Sequence, residues 1–115
     1  MTRRTATPPA QLLRWDELAL ERDTEMVSRK VVHGAAQTMA QVWFKRGALV
    51  ARHRHDSEQM TFVFDGALRL MFDGEPPLTV RAGEVVTIAS GAPHQIEALE
   101  DSLTISTFSP GRTNW

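Results

Sequence analysis

From Gln37 onward the chain is cut at short intervals by turn residues: Arg46-Gly47, Asp65-Gly66, Asp73-Gly74, Pro76-Pro77, Ala82-Gly83 and Ser90-Gly91. Stops at intervals of roughly eight to twelve residues leave little room for a long helix and suit the short strands of a sandwich or barrel. Between them lie apolar-rich runs at Thr38 to Lys45, Leu49 to His53, Glu58 to Phe64, Ala67 to Phe72, Leu78 to Arg81, Val85 to Ala89, His94 to Ala98 and Leu103 to Phe108. The expected fold is all-β, a small antiparallel β-barrel. Phe-Asp-Gly occurs twice, ending at Gly66 and at Gly74. Asp-Gly between apolar runs is a strong hairpin signal, because the tightest hairpin turn takes positive φ at both central positions. Two meander hairpins are predicted at these sites.

The N-terminal third is less regular. Residues 1–14 are polar and carry Pro8 and Pro9, which predicts a loose arm, with residues 15–115 forming one domain. The stretch from Trp15 to Arg22 fits either a short helical turn or an extended edge segment. A chain of 115 residues is of one-domain size and has no cysteine, so disulfides, thiolate metal ligands and a cysteine nucleophile are excluded. Thirteen basic residues against fourteen acidic ones give a formal charge of -1, so composition carries no broad signature of nucleic-acid or anionic-membrane binding. No segment reads as a signal peptide or a membrane span, and a cytoplasmic protein is expected.

The four histidines stand at positions 33, 53, 55 and 94. His53 and His55 point the same way if their segment is extended, and Gln59 shares their parity. Two imidazoles two residues apart are a metal-ligand arrangement; the competing reading is a polar surface run, Arg52 to Ser57. Glu58 competes with Gln59 if a bulge turns it inward. The other face of the same strand carries Met60, Phe62 and Phe64, too apolar to be left in water. A second sheet or a partner subunit would cover it, and a homodimer is expected. His33 joins no such group, and Trp15, Trp43 and Trp115 receive no role.

The wider spacing resembles the cupin superfamily. Gly47, His53, His55, Gln59 and Gly66 match its first motif, with Gln59 where Glu is usual. The run from Gly83 through Gly91 to His94 is similar to its second motif, with Ala89 replacing a proline and Ala98 a frequent Asn. The resemblance implies a jelly-roll (double-stranded β-helix, RmlC-like) barrel holding one divalent ion, Ni, Mn, Fe, Zn or Co, through His53, His55, Gln59 and His94. Within the superfamily the chain is similar to short single-domain cupins of the pectin-degradation KdgF-like subgroup, which linearise 4,5-unsaturated uronates to open-chain ketones. In the tail, Phe108 and Arg112 match that subgroup's Phe and Arg, while Ser106 stands at its Asp.

Three imidazoles and an amide leave the charge of a bound ion uncancelled, which suits Lewis-acid chemistry on an oxygen-rich ligand. The expected function is an isomerase- or lyase-type enzyme acting on a small sugar acid or other oxygenated acid. Ser106, Phe108 and Arg112 are the candidate catalytic residues, with Arg112 available to pair with a carboxylate. A metal-dependent dioxygenase and a non-catalytic small-molecule-binding cupin are the alternatives.

Overall fold

The computed structural model describes residues 8–113. A 3-10 turn at Trp15–Glu17 precedes ten strands: β1 (Glu21–Arg22), β2 (Val27–His33), β3 (Thr38–Phe44), β4 (Leu49–His53), β5 (Glu58–Asp65), β6 (Ala67–Phe72), β7 (Leu78–Arg81), β8 (Val85–Ile88), β9 (His94–Ala98) and β10 (Ser102–Ser109). The Trp15 to Arg22 stretch thus contains both a helical turn and an edge strand. Of the arm expected over residues 1–14, residues 1–7 lie outside the described residues; residues 8–14 are exposed.

The strands form two antiparallel sheets, β1-β2-β3-β10-β5-β8 and β4-β9-β6-β7. One hydrophobic core joins them, with Val42, Val63, Val86, Ile88 and Phe108 from the first sheet and Leu68, Leu70, Val80 and Ile96 from the second. No ladder closes one sheet onto the other among the described residues. The expected barrel is therefore a β-sandwich of the jelly-roll kind.

The strand missed in the sequence is β2. Its inward residues Val27, Arg29 and Val31 alternate with Ser28, Lys30 and Val32, and the adjacent cations Arg29 and Lys30 mask the period. The first Phe-Asp-Gly is also corrected. β5 pairs with β10 and β8, whereas β6 pairs with β9 and β7, so Asp65-Gly66 is not a hairpin but the corner where the chain changes sheets. Gly66 makes that corner at φ +92°, against the backbone of Asp101 and Ser102. The second Phe-Asp-Gly does open the β6–β7 hairpin, through a loop continuing over Pro76 and Pro77. No described non-glycine residue has positive φ, so neither aspartate takes the two-residue turn geometry.

Register puts the functional side chains in rows on the inner face of the six-stranded sheet. His33, Thr38, Phe108, Gln59 and Ile88 lie opposite one another across β2, β3, β10, β5 and β8. The next row holds Val31, Ala40, Ser106, Thr61 and Val86. The two outer faces differ in character. On the four-stranded sheet Arg69 pairs with Glu97 at 2.6 Å, as suits a solvated surface. On the six-stranded sheet Ile105, Phe62 and Val85 lie in one row, while Met60 and Phe64 are 46% and 49% exposed. The second sheet therefore does not cover this face.

Candidate metal centre

β4 and β9 run antiparallel, and a register irregularity between Val50 and His53 brings His53 directly opposite His94. β4 ends there, so His55 sits not on an extended strand but in the connection to β5. That connection is pinned to the β8–β9 turn by Gly91 N–H donating to His55 O at 2.9 Å and Ser90 Oγ donating to Asp56 O at 2.5 Å. Gln59 enters from β5 and is 5% exposed, whereas Glu58 points outward and is exposed. Ligand nitrogens of His53, His55 and His94 lie within 4.8 Å of one another. Four residues from two sheets and a loop thus meet beside Phe108, whose ring lies 5.7 Å from that of His55.

The hydrogen bonds decide which atoms face inward. His53 Nδ1 lies 2.9 Å from Ala51 O, His55 Nδ1 2.9 Å from Ser57 O and His94 Nδ1 2.9 Å from Ala92 O. A carbonyl only accepts, so each Nδ1 carries a proton and Nε2 is the atom each ring has left to offer a cation. Gln59 Nε2 donates to Thr61 Oγ1 at 2.9 Å, which turns Oε1 toward His55 Nε2, 3.0 Å away. The Gln59 oxygen, an acceptor, thus faces the ring nitrogen that the Nδ1–H tautomer of His55 offers as a ligand. Buried His94 Nε2 has no hydrogen-bond partner. Lone pairs converging in this way suit a cation, and two ligand atoms each ~2.1 Å from one ion and at right angles lie ~3.0 Å apart. The residues present fit a divalent ion bound by nitrogen and oxygen.

Burial pushes His94 down to about 4 and lowers His53 for the same leading reason, which keeps both rings neutral as ligands. The unfolded chain takes up a proton near the ordinary value of 6.5 that folded His94 refuses until about 4. Stability of the metal-free protein is therefore full above that ordinary value and is lost as pH falls toward 4. We expect about 2 kcal/mol less stability at pH 5 than at pH 7.5, read by chemical denaturation of the apoprotein.

Beside the histidines lies a cavity of about 230 Å³, lined by apolar side chains and by Asp23, Arg29, His53, Gln59, Ser106 and Arg112. Arg112 stacks 5.3 Å over the Phe108 ring, and burial followed by the charge of Arg29 lowers its pKa. Its backbone N–H donates to Thr38 Oγ1 at 2.9 Å, and His33 Nδ1 lies 3.2 Å from the same hydroxyl. His33 is thus a support for the C-terminal segment and lies outside the histidine cluster. Ser106, Phe108 and Arg112 all line the cavity. Sequence reasoning missed Asp23 and Arg29, which form an ion pair at 3.5 Å. The available signal was the β1–β2 turn, where the Thr24 hydroxyl accepts the N–H groups of Met26 and Val27.

A two-sheet β-sandwich with histidines converging from β4, β9 and the β4–β5 loop defines a class. The cupin domain model matches residues 41–108, and the chain belongs to the cupin family. It is a small cupin resembling KdgF. The pectin degradation protein KdgF of Dickeya dadantii (strain 3937) is 28% identical over 104 residues, covering 88% of this chain and 89% of that protein. The structure of KdgF from Halomonas sp. matches with a TM-score of 0.80 at 30% identity, over 89% of this chain and 96% of that one. An RmlC-like cupin from Shewanella frigidimarina NCIMB 400 matches with a TM-score of 0.82 over 90% of this chain and 94% of that one; at 21% identity the likeness concerns the fold. No helix is long and apolar enough to cross a membrane among the described residues.

Proposed function

We propose that the protein is a metal-dependent isomerase that opens the ring of a small unsaturated sugar acid. The observation that carries this reading is the convergence of three imidazoles and the Gln59 oxygen, two of which, His53 and Gln59, line a cavity together with Arg112. Likeness to KdgF over nearly the whole chain supports the substrate class. A divalent ion held by His53, His55, Gln59 and His94 supplies Lewis acidity toward ligand oxygen.

The protein's own groups do the rest. Arg112 pairs with the carboxylate through its planar fork, and Phe108 forms the apolar wall beneath both. Ring opening is an isomerisation. The C–O bond of the cyclic hemiacetal breaks with its electron pair going to the ring oxygen, the hydroxyl proton leaves as the aldehyde forms, and a proton added at carbon turns the resulting enolate into a ketone. Ser106 is a poor base, and Asp23 is the one carboxylate among the cavity-lining residues, so the proton transfers fall to Asp23. The serine at position 106 also favours a second reading, a cupin that binds the acid without turnover.

The test is to load the protein with nickel, zinc or manganese and follow loss of ultraviolet absorbance from a 4,5-unsaturated uronate. Turnover that falls about a hundredfold in Asp23→Asn supports the enzyme; binding without turnover selects the second reading. Arg112→Ala should raise KM for the uronate about tenfold or more, and an unchanged KM ends its role as the clamp.

We also propose that two copies pair through the outer face of the six-stranded sheet, where apolar side chains lie in register while the other sheet's outer face carries the Arg69–Glu97 ion pair. The apolar part of this face, Ile105, Phe62 and Val85 with Met60 and Phe64 beside them, can meet its own copy across a two-fold axis. Light scattering should give twice the chain mass, and Phe64→Lys should return it to one chain.

A further inference from the structure

Gln59, Thr61 and Ser106 stand side by side on β5 and β10, each no more than 5% exposed. Gln59 Nε2 donates to Thr61 Oγ1 at 2.9 Å, and Thr61 Oγ1 lies 2.7 Å from Ser106 Oγ. We propose that these three side chains form a one-way hydrogen-bond relay, in which a Gln59 oxygen turned toward a cation makes Ser106 a hydrogen-bond donor to an acid bound in the cavity.

The direction follows from counting hydrogens. An amide has its oxygen on one side and its NH2 on the other, so with Oε1 beside His55 Nε2 the NH2 must face Thr61. Thr61 Oγ1 therefore accepts. Gln59 NH2 cannot accept, so Ser106 Oγ is the remaining partner for the one hydrogen of Thr61, and giving it there leaves no Thr61 donor unspent in the core. Ser106 accepts it, and among the described residues Thr61 is the one hydrogen-bond partner of Ser106 Oγ. The serine's own hydrogen is thus unspent, on a residue that lines the cavity. Burial of all three groups keeps bulk water from resetting them.

The ligand group opposite Ser106 is accordingly an oxygen acceptor, a carboxylate or a carbonyl. This part rests on the sugar-acid reading above; the Gln59–Thr61 half does not. A carboxylate at position 59 has no hydrogen to give, so Gln59→Glu reverses the relay: Thr61 donates to Glu, Ser106 donates to Thr61, and the cavity meets lone pairs.

Two measurements on the full chain test this. The first is zinc affinity by chelator competition with no acid present. Thr61→Val should lose about tenfold and Thr61→Ser should restore it, because an outer group that orients a ligand governs affinity on that scale. Wild-type affinity in Thr61→Val overturns the relay. The second is calorimetric binding of D-galacturonate to the zinc-saturated protein. Ser106→Ala should weaken binding about tenfold in the parent and less than twofold beside Gln59→Glu. The cycle cancels the direct repulsion between Glu and the acid. An equal loss in both backgrounds overturns the donor role of Ser106. Should the zinc-loaded parent bind no galacturonate, the sugar-acid reading and the donor role fall together, and the zinc series alone decides the Gln59–Thr61 half.

Discussion

His94→Ala should leave a folded protein that no longer retains its divalent ion. A structural zinc site with four ligands is worth ~10–16 kcal/mol, or ~3 kcal/mol per ligand, so losing one should weaken affinity by ~100-fold or more. Elemental analysis after exhaustive dialysis reads this directly. Two side results make the test specific. His94→Ala should reduce the acid sensitivity of the metal-free protein, since His94 is the group held down to about 4. His33→Ala should keep its metal, because His33 faces Thr38. A His94→Ala protein with full metal content would end the assignment of this site.

The second large effect separates the two copies of Phe-Asp-Gly. A methyl group on Gly66 would overlap the Asp101 carbonyl and lie 2.8 Å from Ser102 Cα, both parts of the backbone, at a φ of +92°. The Ser102 hydroxyl can swing aside, but these backbone atoms cannot yield without moving the start of β10, so Gly66→Ala should cost about 3–5 kcal/mol. Gly74 has positive φ as well, at +72°, but nothing lies within 4 Å of the position its Cβ would take. Gly74→Ala should therefore cost only the left-handed conformation, about 1 kcal/mol. Urea denaturation of the pair distinguishes them, and equal losses would mean that conformation alone, not the crowded corner, sets the requirement for glycine.

These two glycines also show where reading the chain succeeds and where it stops. Alternation and turn residues mark the strands from Thr38 onward to within a residue or two, since each strand has one face in the core. They do not say which sheet a strand joins; Gly66 turns a corner because β5 finds β10 and β8, and that choice depends on contacts distant in sequence. β2 hides because Arg29 is an inward-facing cation, held by Glu21 and Asp23 at 3.5 Å, in a position where alternation leads one to expect an apolar side chain. The resemblance to the cupin motifs is what marks His53, His55, Gln59 and His94 as candidate ligands. What it cannot give is the state of those rings, which is set by the carbonyls of Ala51, Ser57 and Ala92. Parity puts Thr61 on the face of Gln59 but does not show its part, which depends on a hydrogen bond across to another strand.

The candidate ligands come from both layers of the sandwich, His53 and His94 from one sheet, Gln59 from the other and His55 from the chain between. An ion held by all four would rivet the layers together at a point where no ladder does. Its binding energy would then count toward keeping the sheets from parting, the motion that exposes strand edges to proteases. Cells starved of the metal would then clear the protein sooner, so that its amount follows the supply of the ion.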